Sequence, residues 1–317
     1  MRILDGFFLL WGYQDENSLM KYNKPPLSYA NQVKTLQSRG LIVSDEIKAE
    51  QFLAKVNYYR FSAYCLPFEN ERHKFKDNTT FTDVESLYKF DRQLRQLIDN
   101  ALEIIEIYLR AKITYVLTSS HGPFVHEDSK NFFNLDFHSQ WLERVHEETT
   151  RSKETFVIHY RSKYDDFPKL PLWMAVEVMS FGALSKLFSN LKRDVQAEIG
   201  KALGFHHSLL VSWIHSMNFV RNVCAHHARL WNREIAISMK LPKSGDWKGV
   251  VPKRIGSILY IVNSLLKTIP SAEAFRQSWQ KDIEKLLKGS THSSFILRGM
   301  AFSTDHILWR DKNNEKR

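Results

Sequence analysis

The chain has 317 residues, 43% of them apolar and 25% charged, a balance that excludes a disordered or low-complexity protein. Forty-five Lys and Arg against 35 Asp and Glu leave a formal charge of +10, which favours a polyanionic partner: RNA, DNA or an anionic membrane face. Cys65 and Cys224 are too few for a disulfide scaffold and fit a reduced, cytoplasmic protein, and no run approaches the roughly 20 apolar residues that span a bilayer.

Residues 1–21 read as an N-terminal extension, after which Lys24-Pro25-Pro26 breaks the chain. A helix is expected from Leu27 to Ser38, stopped by Gly40, and Asp45 opens a second with Phe52, Leu53 and Val56 at helical spacing. Asn57 to Phe61 continues as a third, aromatic piece, and Phe68 to Thr80 reads as a loop or small hairpin. Residues 22–80 thus form a small N-terminal helical module, either helix-turn-helix-like or a plain packing unit.

The next unit is expected over 81–289. Thr82-Asp83-Val84-Glu85 has the form of a capping box. Leu87, Phe90, Leu94, Leu97, Ala101, Ile105 and Tyr108 then recur every three or four residues up to His121-Gly122-Pro123. About 36 residues give a rod of roughly 54 Å, suited to a bundle or a dimer interface. Further helices are expected over Ser139–Tyr160, Leu172–Phe188, a short piece to Gly204, Ser208 to about Arg233, and near 253–268 and 272–287. Residues 240–252 read as a loop and 290–317 as a polar C-terminal tail. The class is all-α, a helical bundle.

Walker, dinucleotide-binding, zincin and nucleophile-elbow signatures are absent, and no paired cysteines have zinc spacing. The informative stretch is Asn218 to Arg233. On a helix, Asn218, Asn222, His226, Arg229 and Arg233 share one face, while Leu210, Ile214, Met217, Cys224 and Trp231 share an apolar one. Amide, imidazole and guanidinium groups together suit phosphate binding and proton transfer, although polar stripes are commonly solvated faces. Arg221 and His226 leave the axis about 140° apart and roughly 7.5 Å along it. From Arg221 to Arg254 there are eight basic and two acidic residues. Lys240, Lys243, Lys248, Lys253 and Arg254 are expected to face phosphates, with His227, Arg229 and Arg233 as further RNA contacts. Arg92 and Arg95 read as surface charge or RNA contact. Glu177, on an apolar helix, reads equally as a partner of Arg221 or as half of a local salt bridge. His206, His207 and His215 with Cys224 and His226 do not make a convincing zinc set, so no metal or other cofactor is expected.

Arg221-Asn222-x-x-x-His226 resembles the R-x4-6-H signature of HEPN ribonucleases. The wider chain is similar to the abortive-infection (Abi) family of the AbiD/AbiF kind. The segments that carry this are Lys24-Pro25-Pro26-Leu27, Gln32-Val33-Lys34-x-Leu36-x-x-Arg39-Gly40-Leu41 and Tyr58-Tyr59-Arg60-Phe61-Ser62-x-Tyr64. They continue with Phe90-Asp91-Arg92-x-Leu94-Arg95, Leu170-Pro171-Leu172-Trp173-x-x-x-Glu177, Ser180-Phe181-Gly182-x-Leu184-Ser185 and Arg221-Asn222-x-Cys224-Ala225-His226-His227-x-Arg229-Leu230-Trp231-Asn232. Coverage runs from Lys24 to Ile237. The resemblance implies a helical HEPN-like domain, a role in phage defence and metal-independent RNA cleavage by Arg221 and His226. Asn222 would orient the reacting groups and Asn218 would support them from behind. It also implies a homodimer, since one chain carries one such motif, and it admits a structured small RNA as a second partner. The alternatives are a non-catalytic RNA-binding protein of a defence or toxin–antitoxin system, and a DNA-binding regulator that uses the N-terminal helices.

Overall fold

Three short helices open the computed structural model, which describes residues 22–243, 247, 249–289 and 293–302; the expected extension 1–21, Lys248 and most of the segment 290–317 lie outside the described residues. Ser28 accepts the Asn31 N–H at 3.3 Å and starts α1 (Tyr29–Ser38). Gly40, at φ +93°, turns the chain after it, as a glycine can without steric cost. Asp45 accepts the Lys48 N–H at 2.9 Å and starts α2 (Glu46–Val56). Asn57 does two jobs at φ +70°. Its N–H closes α2 on the Leu53 carbonyl, and its side chain caps α3 (Tyr58–Cys65) through the Tyr59 N–H. The polar stretch that follows is a hairpin, β1 (Glu69–Glu71) antiparallel to β2 (Lys74–Phe75).

Helix α4 runs 41 residues, Phe81–His121. Its cap stands two positions earlier than the expected box. The Thr80 hydroxyl accepts the Asp83 N–H at 3.2 Å, and the Asp83 carboxylate accepts the Thr80 N–H at 2.8 Å. The described chain divides into two compact units: residues to Leu94 with 289–293, and Arg95–Lys288 with the segment from Ser294. In the first unit, Phe52, Phe61, Phe81 and Tyr88 form an edge-to-face and stacked aromatic core. The buried Tyr64 hydroxyl beside it donates to Asp91 Oδ2 at 2.6 Å.

The second unit is a helical bundle. It contains α5 (Leu135–Arg151), α6 (Thr155–Lys163), α7 (Leu172–Val178), α8 (Phe181–Asn190), α9 (Arg193–Leu203), α10 (His207–Ala225), α11 (Ile255–Leu266), α12 (Glu273–Lys288) and α13 (Ser293–Gly299). Two expected single helices are each split in two. Ser152, extended at ψ 137°, takes the Glu154 N–H and separates α5 from α6. Ser180, at ψ 159°, caps α8 through the Ala183 N–H and separates it from α7. In both places a hydroxyl satisfies a backbone donor better than a continued helix would. Helix α10 is the central element and packs against α8, α9 and α11. Its Leu210, Trp213, Ile214, Met217 and Val220 are fully buried.

Helix α10 ends at Ala225, eight residues short of the expected Arg233. His227 takes the left-handed conformation at φ +54°. Its N–H bonds the Cys224 carbonyl, and the Ala228 N–H bonds the Val223 carbonyl at 3.0 Å. This pair is a Schellman turn, closed here by a histidine instead of glycine. The described part of 290–317 is not wholly polar. It contains α13, and Ile296, Met300 and Phe302 are buried. No described helix is long and apolar enough to cross a membrane.

Candidate functional site

The C-terminal end of α10 gathers the motif residues. Asn218, Asn222 and His226 succeed one another at four-residue steps and share a face, because His226 as C-cap still carries near-helical backbone angles. Asn222 and His226 are exposed and Asn218 is partly so. Arg229 and Arg233 do not join this face. The left-handed His227 redirects the chain, and the Arg233 Nε–H donates to the Arg229 carbonyl at 2.8 Å in a local turn. His227 is itself exposed beside His226.

Arg221 is anchored from α4. Its Nε lies 3.6 Å from Glu106 Oε2, and its Nη1 donates to Asn222 Oδ1 at 3.5 Å. Glu106 is 8% exposed. Its other oxygen accepts from Arg110 Nη2 at 2.6 Å, and Arg110 Nη1 donates to the Val176 carbonyl of α7 at 2.5 Å. One buried carboxylate therefore holds two guanidinium groups and ties α4, α7 and α10 together. A carboxylate at that depth is costly unless it is paired in this way. Arg221 keeps 39% of its side chain open to solvent, so it is fixed in place and still accessible.

Glu177 does not hold Arg221. It is exposed on α7 and makes no ion pair among the described residues. The partner is Glu106, which the sequence reading missed. The available signal was Glu106-x-x-x-Arg110 set within the buried Leu102, Ile105, Leu109 and Ile113 stripe, since charged residues at core register need each other. Arg95 is buried and donates to the Ala228 carbonyl at 3.3 Å, bracing the turn that presents His226 and His227, whereas Arg92 is exposed.

The basic segment is divided between structural and exposed residues. Arg254 donates to Asn232 Oδ1 at 2.8 Å and to the Gly299 carbonyl at 2.9 Å. Lys253 faces Glu234 at 3.9 Å. Trp231 is buried, donates to the Ile296 carbonyl and packs so closely that a Cβ on Gly299 would meet its indole at 2.4 Å. Lys240 and Lys243 remain exposed. His206 caps the start of α10 by accepting the Ser208 N–H. His207 faces Gln196 and is pushed below the ordinary histidine range, first by burial and then by its basic neighbours. Among the described residues no cluster of three or more His, Cys, Asp or Glu is arranged to hold a metal ion.

No curated protein and no solved structure matches the chain. The Abi-like protein family matches residues 51–232. That span contains the aromatic core of the first unit, α4 with Glu106, and the whole of α10 with its closing turn. The chain belongs to the Abi-like protein family.

Proposed function

We propose that this protein is an endoribonuclease of abortive-infection phage defence, of the HEPN kind and the AbiD/AbiF group, with its site at the C-terminal end of α10. The observation that carries the reading is Arg221, clamped by the buried Glu106 and still open to solvent, next to the exposed Asn222 and five residues before the exposed His226. RNA brings its own nucleophile, the 2′-OH, which an imidazole activates near neutral pH. The 2′-oxygen bonds to phosphorus as the bond to the 5′-oxygen breaks. His226 takes the first proton or supplies the second, and Arg221 stabilises the added negative charge on the phosphorane. Asn222 orients the imidazole or the phosphate. The products are a 2′,3′-cyclic phosphate and a 5′-hydroxyl.

A second copy completes this reading. Side chains five residues apart on one helix diverge by about 140°, so Arg221 of one chain and His226 of another meet a single phosphate more readily than both from one chain. The same divergence favours a second reading, an RNA-binding member that does not cut. The test is cleavage of single-stranded and structured RNAs in EDTA by wild type, Arg221→Ala and His226→Ala. Cutting by the wild type, with a loss of about 100-fold or more in each variant, is the expected result. Salt-sensitive RNA binding with no cutting, unchanged by His226→Ala, would establish the binding protein instead.

A further inference from the structure

Next to Asn218, α10 forms one wall of a cleft of about 420 Å³, whose other walls are α5 and α8. That size falls in the range of small-molecule sites, about 300–1,000 Å³. Asn218 stands one helical turn from both Arg221 and Asn222, roughly 5–6 Å away, so the cleft opens beside the proposed cleavage site without being part of its chemistry.

Three kinds of group line it. Phe137 stands on the rim, 37% exposed, and Trp141 is buried behind it with its indole N–H committed to the Ala183 carbonyl at 2.9 Å. These give fixed aromatic surface for a flat ring. Arg144 and Lys186 are exposed cations that make no ion pair among the described residues. Glu148 and Asn218 supply the polar recognition. Glu148 Oε2 is shut off from solvent and has no hydrogen-bond partner, a state that buried acceptors rarely keep without a use. The Asn218 amide makes no hydrogen bond among the described residues, and its atoms lie 3.5 Å from where a Cβ on Gly182 would stand. The glycine leaves the amide face clear.

A carboxylate short of donors, on the same helix as an exposed aromatic edge and near unpaired cations, suits a nucleotide base with neighbouring N–H groups. Among the RNA bases guanine alone presents two such donors side by side on its pairing edge, N1–H and the exocyclic amino group, and unstacked bases are read on that edge. We propose that the cleft is a guanine subsite. Glu148, its buried Oε2 turned out into the cleft, accepts from N1–H and the 2-amino group, Asn218 reaches the remaining polar edge, Phe137 backed by Trp141 lines the ring, and Arg144 and Lys186 face the nucleotide's phosphate. The subsite rests on the reading of the α10 end as an RNA-cleaving site and gives that site its base preference.

The test is calorimetric titration of the full chain with guanosine, adenosine, cytidine, uridine and inosine 5′-monophosphates. Guanosine monophosphate should bind about tenfold or more tighter than the adenosine, cytidine and uridine compounds, with inosine monophosphate, which lacks the 2-amino group, in between. Glu148→Gln keeps the shape and should erase this preference without lowering the thermal midpoint. Asn218→Ala is the second variant and should weaken guanosine monophosphate several-fold. Equal affinity for all the monophosphates, no binding, or a guanine preference that survives both substitutions would overturn the proposal. RNA cleavage is scored separately. Guanine preference without cleavage would remove the nuclease and keep the subsite; cleavage indifferent to the base would keep the nuclease and remove the subsite.

Discussion

Arg221 and Arg254 lie 33 positions apart in the same basic stretch, and the fold uses them in opposite ways. Arg221 is gripped from one side by a buried carboxylate and left open on the other. Arg254 is consumed by the protein's own acceptors, Asn232 Oδ1 and the Gly299 carbonyl. Arg233, bonded to the Arg229 carbonyl, follows Arg254, whereas Lys253, 3.9 Å from the exposed Glu234, keeps 45% of its side chain open. Among the described residues, Lys240 and Lys243 are the expected phosphate-facing ones exposed as whole residues. Net charge in a sequence therefore overstates the charge available to a partner, and counting free donors after folding separates the two.

The sharpest way to break this contrast is Glu106→Gln. It leaves Arg110 and Arg221 without their shared carboxylate and should cost about 3 kcal/mol of stability, since removing one partner of a buried ion pair strands the other. Urea denaturation measures the loss, and RNA cleavage should fall with it. Glu177→Gln should stay within about 0.5 kcal/mol of wild type, as exposed substitutions do. A Glu106→Gln protein as stable as wild type would mean that the arginines do not depend on that carboxylate.

Acid acts on a different part of the unit, and its effect must be subtracted before any pH–activity profile at the α10 end is read. His126 is 1% exposed. Burial first, then His146 and His138, lower its pKa from 6.5 to about 3. The unfolded chain takes up this proton near 6.5, so the stability is fully present above that pH and is lost as pH falls from there towards 3. At about 1.4 kcal/mol per unit, pH 5 should cost about 2 kcal/mol relative to pH 7. His126→Gln should flatten the dependence of the thermal midpoint on pH over that window. An unchanged slope would place the acid sensitivity elsewhere.

A smaller pair of effects tests the contrast directly. Arg254→Ala should lower stability by about 1–2 kcal/mol through two lost charged-donor hydrogen bonds, with little change in RNA affinity beyond that. Lys243→Ala should leave stability alone and reduce the salt dependence of RNA binding by about one phosphate contact. If the two behaved the other way round, the structural and phosphate-facing sets would be exchanged.

Much of the architecture is legible in the residues because local chemistry and tertiary packing agree. Asp45, Gly40 and Gly204 mark helix boundaries where they are found, and the α10 core positions are buried as the spacing requires. Reading fails where a short polar side chain competes with the helix. Ser152 and Ser180 each look tolerable inside a long periodic run, yet each takes a backbone N–H and splits it. Thr80 and Asp83 form the α4 cap in place of Thr82 and Glu85, which repeat the pattern of a threonine and a carboxylate two positions on. At the site, Asn218, Asn222 and His226 are placed correctly by helical spacing, whereas Arg229 and Arg233 are not, because periodicity carries no sign that the helix stops at Ala225. Glu106 lies 115 residues before Arg221, and that pairing is a property of the fold.

The turn closed by His227 has a consequence for how this protein can vary. A left-handed backbone imposes an order of preference of its own: glycine first, asparagine, aspartate and histidine next, β-branched residues last. Nothing in that order calls for imidazole chemistry. A library of all substitutions at position 227, ranked by defence against phage, would separate two histories. Survival that follows the order would mark the position as one selected for shape. Survival of histidine alone would show that the ring itself is under selection, in a place where glycine would have been easier to fold.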